Sequence, residues 1–520
     1  MRTLLLLASL LLGVVLPLLP VRAAEPRPSL GINLSGPADW NTELPFVDVF
    51  RLSRSWISQR RGEGWGRGPQ LELDEHGWVR RLEPGCFAET PLMTVPAGRR
   101  PAGVYTVLYE GKGRLEFSAG RVVSSEPGRM RVDLGEGGGV FLRLLETDEA
   151  DPVRNIRVIM PGFEDTYATN PFHPVFLDRW RGFAVLRFMD WMHTNNSRQT
   201  HWGQRPTLDS ARWTGDGGVP VEVMVDLANR LGIDPWFCMP HLADDDYVRN
   251  FAEYVRDHLR PGLKVYVEYS NEVWNSQFRQ HHYANEQGQA MGLGERPWEA
   301  GWRYYAKRSV EIFRIWEEVF GGRERLVRVL SSQAANAYIA RQILQFEEAG
   351  RHADALAIAP YISMNVPARS DNPDRLTADR VAAMTVEQIL DHVETVALPE
   401  AVRWIEAHRQ VADEYGLTLI AYEAGQHLVG IQGGENNDEM TRLFHAANRH
   451  PRMGEIYRKY FAAWEANRGG VMALFASVSQ WSKWGSWGLM EFYDETPAEQ
   501  PKMAAALEQA AAWGQPVAAP

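Results

Sequence analysis

From about residue 183 onward the chain alternates short apolar runs with longer amphipathic stretches, and this alternation narrows the fold more than any other feature of its 520 residues. The apolar runs are Phe183–Phe188, Pro235–Met239, Lys264–Ser270, Leu326–Leu330, Ala355–Pro360, Thr418–Tyr422 and Gly470–Ala476. Between them lie stretches with helical periodicity: Val221–Leu231, Tyr247–Leu259, Trp298–Val319, Ala337–Ala349, Pro399–Tyr415 and Arg452–Asn467, with Met503–Trp513 closing the series. Near-continuous apolar strands separated by helices belong to a parallel sheet covered on both faces. An eighth run, Ser29–Leu34, completes the count for an α/β fold, the (β/α)8 TIM barrel.

About 150 residues separate the first run from the second, too many for one strand-to-helix connection. Residues 28–86 read as the first strand and a long loop. Residues 87–160 change character, to short alternating runs such as Val104–Tyr109, Arg114–Ser118, Met130–Leu134, Val140–Leu145 and Ile156–Met160 between Gly-rich turns. This segment reads as a small antiparallel β-sandwich inserted after the first barrel strand, with a lid or structural role and a sugar-binding role both open. Residues 161–515 supply the rest of the barrel, and Gln515–Pro520 a tail.

Residues 1–23 read as a secretory signal: Arg2 is the basic start, Leu4–Leu19 the apolar stretch and Val21-Arg22-Ala23 the small-residue cleavage site. That stretch, broken by Pro17, falls short of the roughly 20 apolar residues of a membrane span. The expectation is an exported protein, periplasmic or extracellular, with no membrane span after cleavage. A formal charge of −11 argues against a partner made of nucleic acid, because tracking phosphates needs a basic face. Cys86 and Cys238 could form one bridge, but Cys238 lies in an apolar run where a buried thiol is equally expected.

Barrel chemistry sits at the carboxyl ends of the strands. Two of those ends carry a glutamate directly after an apolar run: Glu272 in Glu268-Tyr269-Ser270-Asn271-Glu272, and Glu423 in Ala421-Tyr422-Glu423-Ala424-Gly425. Glycosidic hydrolysis needs two carboxyl groups flanking the anomeric carbon, about 5–5.5 Å apart for retention and about 6.5–9.5 Å for inversion. The fourth and seventh strands of a barrel face each other across its mouth. One strand-end glutamate alone would read as a salt-bridged rim; two opposed ones read as a catalytic pair.

Asn271-Glu272 after the fourth strand and Glu423 at the tip of the seventh resemble the signature of the clan A retaining glycoside hydrolases. The resemblance implies Glu272 as acid/base, Glu423 as nucleophile and Asn271 as the partner of a sugar 2-hydroxyl. It further implies Arg187 beside the nucleophile, Tyr361 orienting it, Trp481 as a sugar platform and, more weakly, His241. Trp274 would line the cleft; Asp190 and Asn195, in the long loop after the second strand, could line it too, but solvated loop polarity is the favoured reading of both. Gly31-Ile32-Asn33-Leu34-Ser35-Gly36, Asp39-Trp40 and Arg51-Leu52-Ser53-Arg54-Ser55-Trp56 are also similar to secreted bacterial proteins loosely described as cellulose-binding.

The chain holds 19 tryptophans. Those expected in loops at the barrel mouth are Trp191, Trp202, Trp274, Trp481, Trp484 and Trp487, with Trp40, Trp56, Trp65 and Trp78 near the first strand. About half of them are expected to face a cleft as platforms for a neutral carbohydrate. Trp236, Trp298, Trp302, Trp316 and Trp404 read as packing. No G-x-S-x-G elbow, H-E-x-x-H pair, P-loop or dinucleotide fingerprint occurs, so neither metal nor cofactor is expected. Asp244-Asp245-Asp246 reads as a helix start. The sequence therefore points to a secreted retaining hydrolase of a neutral, β-linked poly- or oligosaccharide, with a non-catalytic carbohydrate-binding protein on the same barrel as the alternative.

Overall fold

The computed structural model describes residues 27–518, so the signal expected over residues 1–23 lies outside the described residues. Eight parallel strands close into a barrel: β1 (Ser29–Asn33), β2 (Val185–Arg187), β3 (Asp234–Met239), β4 (Val265–Tyr269), β5 (Leu326–Ser331), β6 (Ala355–Ile358), β7 (Thr418–Ala424) and β8 (Val471–Leu474). Closure is made by β1, which pairs Ile32 with Leu186 of β2 on one side and Ser29 with Val471 of β8 on the other. Side chains alternate between the two faces, as the pleat requires. Val185, Trp236, Val329, Ala357, Ile420 and Ala473 fill the interior. Leu186, Phe237, Val267, Leu356 and Leu419 pack outward in the layer beneath the helices. The interior also holds buried polar side chains, Asn33, Arg187, Glu268 and Ser331, which no apolar barrel core calls for.

The helical layer follows the expected periodicity. Asp244 caps the helix Asp245–His258, its side chain accepting from the Tyr247 N–H at 2.7 Å, which accounts for the acidic triplet. Arg279–Ala290, which follows β4 and has few apolar residues, lacks that signal and goes unread; Asp438–Arg449, before β8, carries it at Met440, Leu443, Phe444 and Ala447 and is missed all the same. Two further strands, Ile362–Pro367 and Gln426–Ile431, pair in parallel as a ribbon rising beyond β6 and β7.

Between β1 and β2 stand two four-stranded antiparallel sheets. One orders Ile57–Arg60, Cys86–Met93, Val140–Thr147 and Gly113–Phe117; the other orders Arg154–Ile159, Val104–Glu110, Arg129–Asp133 and Arg121–Glu126. The first sheet thus draws a strand from upstream of residue 87, where a polar sequence hides it. The second is tied to the loop after β1 through Asp48, which accepts from the Val158 N–H at 2.9 Å and pairs with Arg157 at 3.5 Å. Cys86 and Cys238 are buried and unpaired. Trp298 corrects the packing assignment: it is 45% exposed at the start of its helix. No helix among the described residues is long and apolar enough to cross a membrane.

Phe237 stacks on Phe188 at 5.5 Å and meets Phe251 edge-on at 5.0 Å, joining the barrel to its helical layer. Phe237→Ala is expected to cost about 3–5 kcal/mol through lost burial and the residual cavity, measured by urea denaturation.

Candidate active site

The site is assembled from its floor upward. Arg187 ends β2 with no solvent exposure. Burial works against its charge, and the adjacent carboxylates of Glu268 and Glu423 outweigh that, so the guanidinium stays protonated. It donates from Nη2 to Glu268 Oε2 at 2.9 Å and to Asn271 Oδ1 at 2.8 Å, and from Nη1 to Glu423 Oε1 at 2.9 Å and to Asn33 Oδ1 at 3.1 Å. Glu268 is itself held from below by Trp236 Nε1 at 2.9 Å, by the Ser331 hydroxyl and by the Cys238 thiol, which burial keeps protonated. Asn33 donates to the Tyr422 carbonyl at 2.9 Å.

Glu423 reaches this cation through an irregularity in its strand. Ala421 pairs with Met472 and Ala424 with Leu474, so β7 spends three steps where β8 spends two. Such a bulge re-aims side chains. Tyr422 and Glu423 both face the cleft as a result, where regular alternation would turn one of them into the helical layer. Tyr361, at the end of β6, donates its hydroxyl to Glu423 Oε2 at 2.8 Å. Its backbone is fixed by the outer ribbon, which starts with the Ile362 N–H donating to the Gly425 carbonyl at 2.9 Å. Gly425 has φ +133°, and a Cβ there would meet the Tyr457 hydroxyl at 2.9 Å, so the turn directly after Glu423 requires glycine.

Glu272 is aimed differently. Ser270 (φ +59°) and Glu272 (φ +44°) both occupy the left-handed region, a conformation uncommon for residues with a Cβ and found where surrounding structure enforces it. The chain turns sharply out of β4 and presents Asn271 and Glu272 to the cleft. Glu272 Oε1 accepts from the Tyr422 hydroxyl at 3.0 Å and Oε2 from Asn275 Nδ2 at 2.8 Å.

The two carboxyls therefore differ in their partners. Burial pushes Glu272 up to about 7, reinforced by the charge of Glu423; hydrogen bonds from Asn275 and Tyr422 and, least of all, the charge of Arg187, which makes no hydrogen bond to it, oppose the rise. Burial also raises Glu423, but the Arg187 cation and the Tyr361 hydroxyl pull the other way. The shared proton accordingly resides on Glu272, and Glu423 is the carboxylate.

Other expected residues fall into distinct places. Asn271 is clamped between Arg187 and Asn195 Oδ1, to which it donates at 3.1 Å, and Gln280 donates to the same oxygen at 2.7 Å. Asn195 is thus a support for Asn271, which corrects its reading as loop polarity. Asp190 is corrected too: it lines the cleft half-buried, its carboxyl raised to about 7 by burial and by Glu423. His241 is buried beside Tyr283, its ring pushed down to about 4 by burial and so neutral, with no hydrogen bond to either acid. Trp274 is half-buried on the β4 loop.

Trp481 departs most from expectation. It is 4% exposed, donates to the Gly488 carbonyl at 3.1 Å, and has the Arg449 guanidinium 4.7 Å and the Lys502 ammonium 4.4 Å from its ring. The tryptophan beside Tyr361, which holds Glu423, is Trp487, 5.8 Å from the Tyr361 ring. Trp191 and Trp78 are likewise core residues and not cleft residues. Glu268, Asn33, Tyr422 and Asn275 escaped the sequence reading. Their signal was proximity to residues already chosen, since Asn275 lies three residues past Glu272 in the same turn and Tyr422 adjoins Glu423.

No family model and no curated protein matches the chain. Among solved structures it is similar to a double mutant of an endo-β-1,4-mannanase from Cellulomonas fimi, at 12% identity and a TM-score of 0.32, over 56% of this chain and 58% of that one. It is similar as well to the modular endo-β-1,4-mannanase of Cellulomonas fimi, at 13% identity and 0.36, over 66% and 69%. A Bacteroidetes-affiliated GH5 cellulase gives 9% and 0.35, over 65% and 86%.

Arg187→Met leaves Glu268 and Glu423 buried beside each other without a cation. The expected loss is about 3–5 kcal/mol of stability in urea denaturation near neutral pH, as for a broken buried pair. The loss shrinks as pH falls and Glu423 takes up a proton, because a removed cation raises a neighbouring carboxyl.

Proposed function

We propose that the protein is an exported glycoside hydrolase that cleaves a neutral, β-linked poly- or oligosaccharide with retention of configuration. The observation that carries this reading is the unequal holding of two carboxyls at the ends of β4 and β7, Glu272 half-buried and Glu423 buried. One keeps a proton near neutrality on neutral hydrogen bonds, and the other is bound at both oxygens by a guanidinium and a phenol. A protein that only bound sugar would have no use for that difference.

The chemistry follows from the assignment. A Glu423 oxygen attacks the anomeric carbon while Glu272 gives its proton to the glycosidic oxygen, so the C–O bond breaks and the leaving sugar departs as an alcohol. The product is a glycosyl ester on Glu423. Glu272, now a carboxylate, takes a proton from water as the water oxygen attacks the same carbon and releases Glu423. Two inversions give net retention. Arg187 and Tyr361 fix the plane of the nucleophile's carboxylate, and Asn271, held by Arg187 and Asn195, stands beside both acids to meet a ring hydroxyl.

Glu272→Gln and Glu423→Gln are each expected to lower kcat by at least about 10³-fold on a responsive β-glucan or mannan, with folding unchanged by circular dichroism. NMR of the first-formed product should show the anomer of the substrate; full activity in either variant, or the opposite anomer, rejects the mechanism. Because Glu272 must be protonated in the free enzyme, kcat/KM is expected to fall as pH rises through about 7. An alkaline limb well above that value would mean another group supplies the proton.

A further inference from the structure

Beside the catalytic pair, on the β1 and β8 side, lie two cavities of about 520 and 410 Å³ that share Gly36, Trp40 and Asp190. Each falls within the range of ligand sites, about 300–1,000 Å³. The first is walled by the β8 loop, with Phe475, Trp484 and Trp487, and Trp487 in turn contacts Tyr361. The second runs past Trp40 to Arg54, His193 and Thr214. Trp40 and Trp484 are 58% and 62% exposed, an unusual state for two indoles lining one hollow.

Trp40 owes its position to the inserted sheets. Asp39, its neighbour, receives both arms of Arg54 at 2.9 Å, the Thr94 hydroxyl at 2.6 Å and, on its carbonyl, the Thr94 N–H at 2.7 Å. Arg54 is fixed to the same edge of the insert, its N–H donating to the Pro91 carbonyl at 3.0 Å and its carbonyl accepting from the Thr90 hydroxyl at 2.6 Å. The strand Cys86–Met93 and its continuation therefore act as a jig for the loop that carries Trp40.

Charges along this path alternate. Arg54 lies 5.1 Å from the Trp40 ring and Lys483 lies 4.8 Å from the Trp484 ring, while Asp190 stands half-buried between the cavities with no ion-pair partner among the described residues. Asp39 already neutralises Arg54, so a chain with a positive charge on every sugar would meet Lys483 beside Trp484, and one with a negative charge on every sugar would meet Glu423 and bring no donor to Asp190. An uncharged pyranose chain meets neither penalty: its C–H faces suit the indoles, and its hydroxyls supply the donors that Asp190 lacks.

We infer that the inserted sheets extend the catalytic cleft with a second sugar-binding subsite, formed by Trp40 and Asp190, that selects longer uncharged pyranose chains. The inference rests on the hydrolase reading for its place in the reaction, but it is tested by binding alone. In the full chain carrying Glu272→Gln, isothermal titration with neutral β-gluco- and manno-oligosaccharides of increasing length should show affinity rising with length. Trp40→Ala, at an exposed position that does not threaten folding, should remove that rise and weaken the longest chain about tenfold. Asp190→Asn should weaken it as well, with thermal unfolding little changed, and Asp39→Asn should do so through a loosened Trp40 loop, with a lowered thermal midpoint.

Affinity independent of length, an unaltered length dependence in Trp40→Ala, or chitosan oligomers or oligouronates binding as tightly as neutral chains overturns the subsite. Length-dependent binding that Trp40→Ala removes, in a protein whose unsubstituted form hydrolyses none of the same chains, supports the subsite and rejects only the hydrolase reading. Hydrolysis of long chains with undiminished kcat/KM in Trp40→Ala does the reverse.

Discussion

A guanidinium without solvent contact must find every partner inside the protein, and Arg187 finds them on three strands and one loop. It pairs with Glu268 of β4 and Glu423 of β7, and it donates to Asn33 of β1 and to Asn271 just beyond β4. Desolvating one cation costs several kcal/mol, which only charged partners of good geometry offset. Glu268 supplies the first of these from below and is itself satisfied by Trp236, Ser331 and Cys238, so the cation enters the cleft already half-neutralised. What remains of its charge holds Glu423 ionised and orients Asn271. Small residues in β6 and β8, Ala355, Ala357 and Ala473, leave the interior volume that this polar layer occupies.

The same layer explains why the backbone is irregular where it is. Regular pleating would place only one of Tyr422 and Glu423 in the cleft, yet the site uses both, one to hold Glu272 and the other on Arg187. The bulge at β7 resolves that conflict. At β4 the corresponding device is the pair of left-handed residues flanking Asn271, each costing on the order of 1–3 kcal/mol. Both irregularities lie next to a carboxyl, and away from them β4 and β7 keep their pairing in register. Strain is concentrated where side chains must converge.

How much of this could be read from the sequence depended on whether burial wrote a period into it. Strands covered on both faces leave unbroken apolar runs, which is why all eight barrel strands were legible to within a few residues. Helices such as Arg279–Ala290, which bury little, left none. At the site, Glu272, Glu423, Asn271, Arg187 and Tyr361 were legible as strand-end residues, and the structure brings these five together. Trp481 was misplaced because position along a loop says nothing of direction: its ring turns inward under Arg449 and Lys502, and Trp487, six residues on, takes the place beside Tyr361. Asp190 and Asn195 were discounted because a polar loop residue looks the same whether water or a buried amide is its partner.

The tryptophans show why composition alone underdetermines a binding surface. Exposure does not separate the relevant ones, since Trp65 at 60% meets Phe141 of the insert, and Trp298 stands on a helix beside Arg296. What distinguishes Trp40 and Trp484 is a shared hollow, an unpartnered acid between them and a rigid support. That support matters energetically. A loop ordered only on binding loses conformational freedom at about 0.5–1.5 kcal/mol per immobilised side chain, which subtracts from whatever the stacked sugar contributes. Asp39 makes its ordering contacts with Arg54 and Thr94 within the fold itself, so that cost is met in folding. The inserted sheets, which make no contact with the two carboxyls through any hydrogen bond among the described residues, act on the cleft by holding one ring in place.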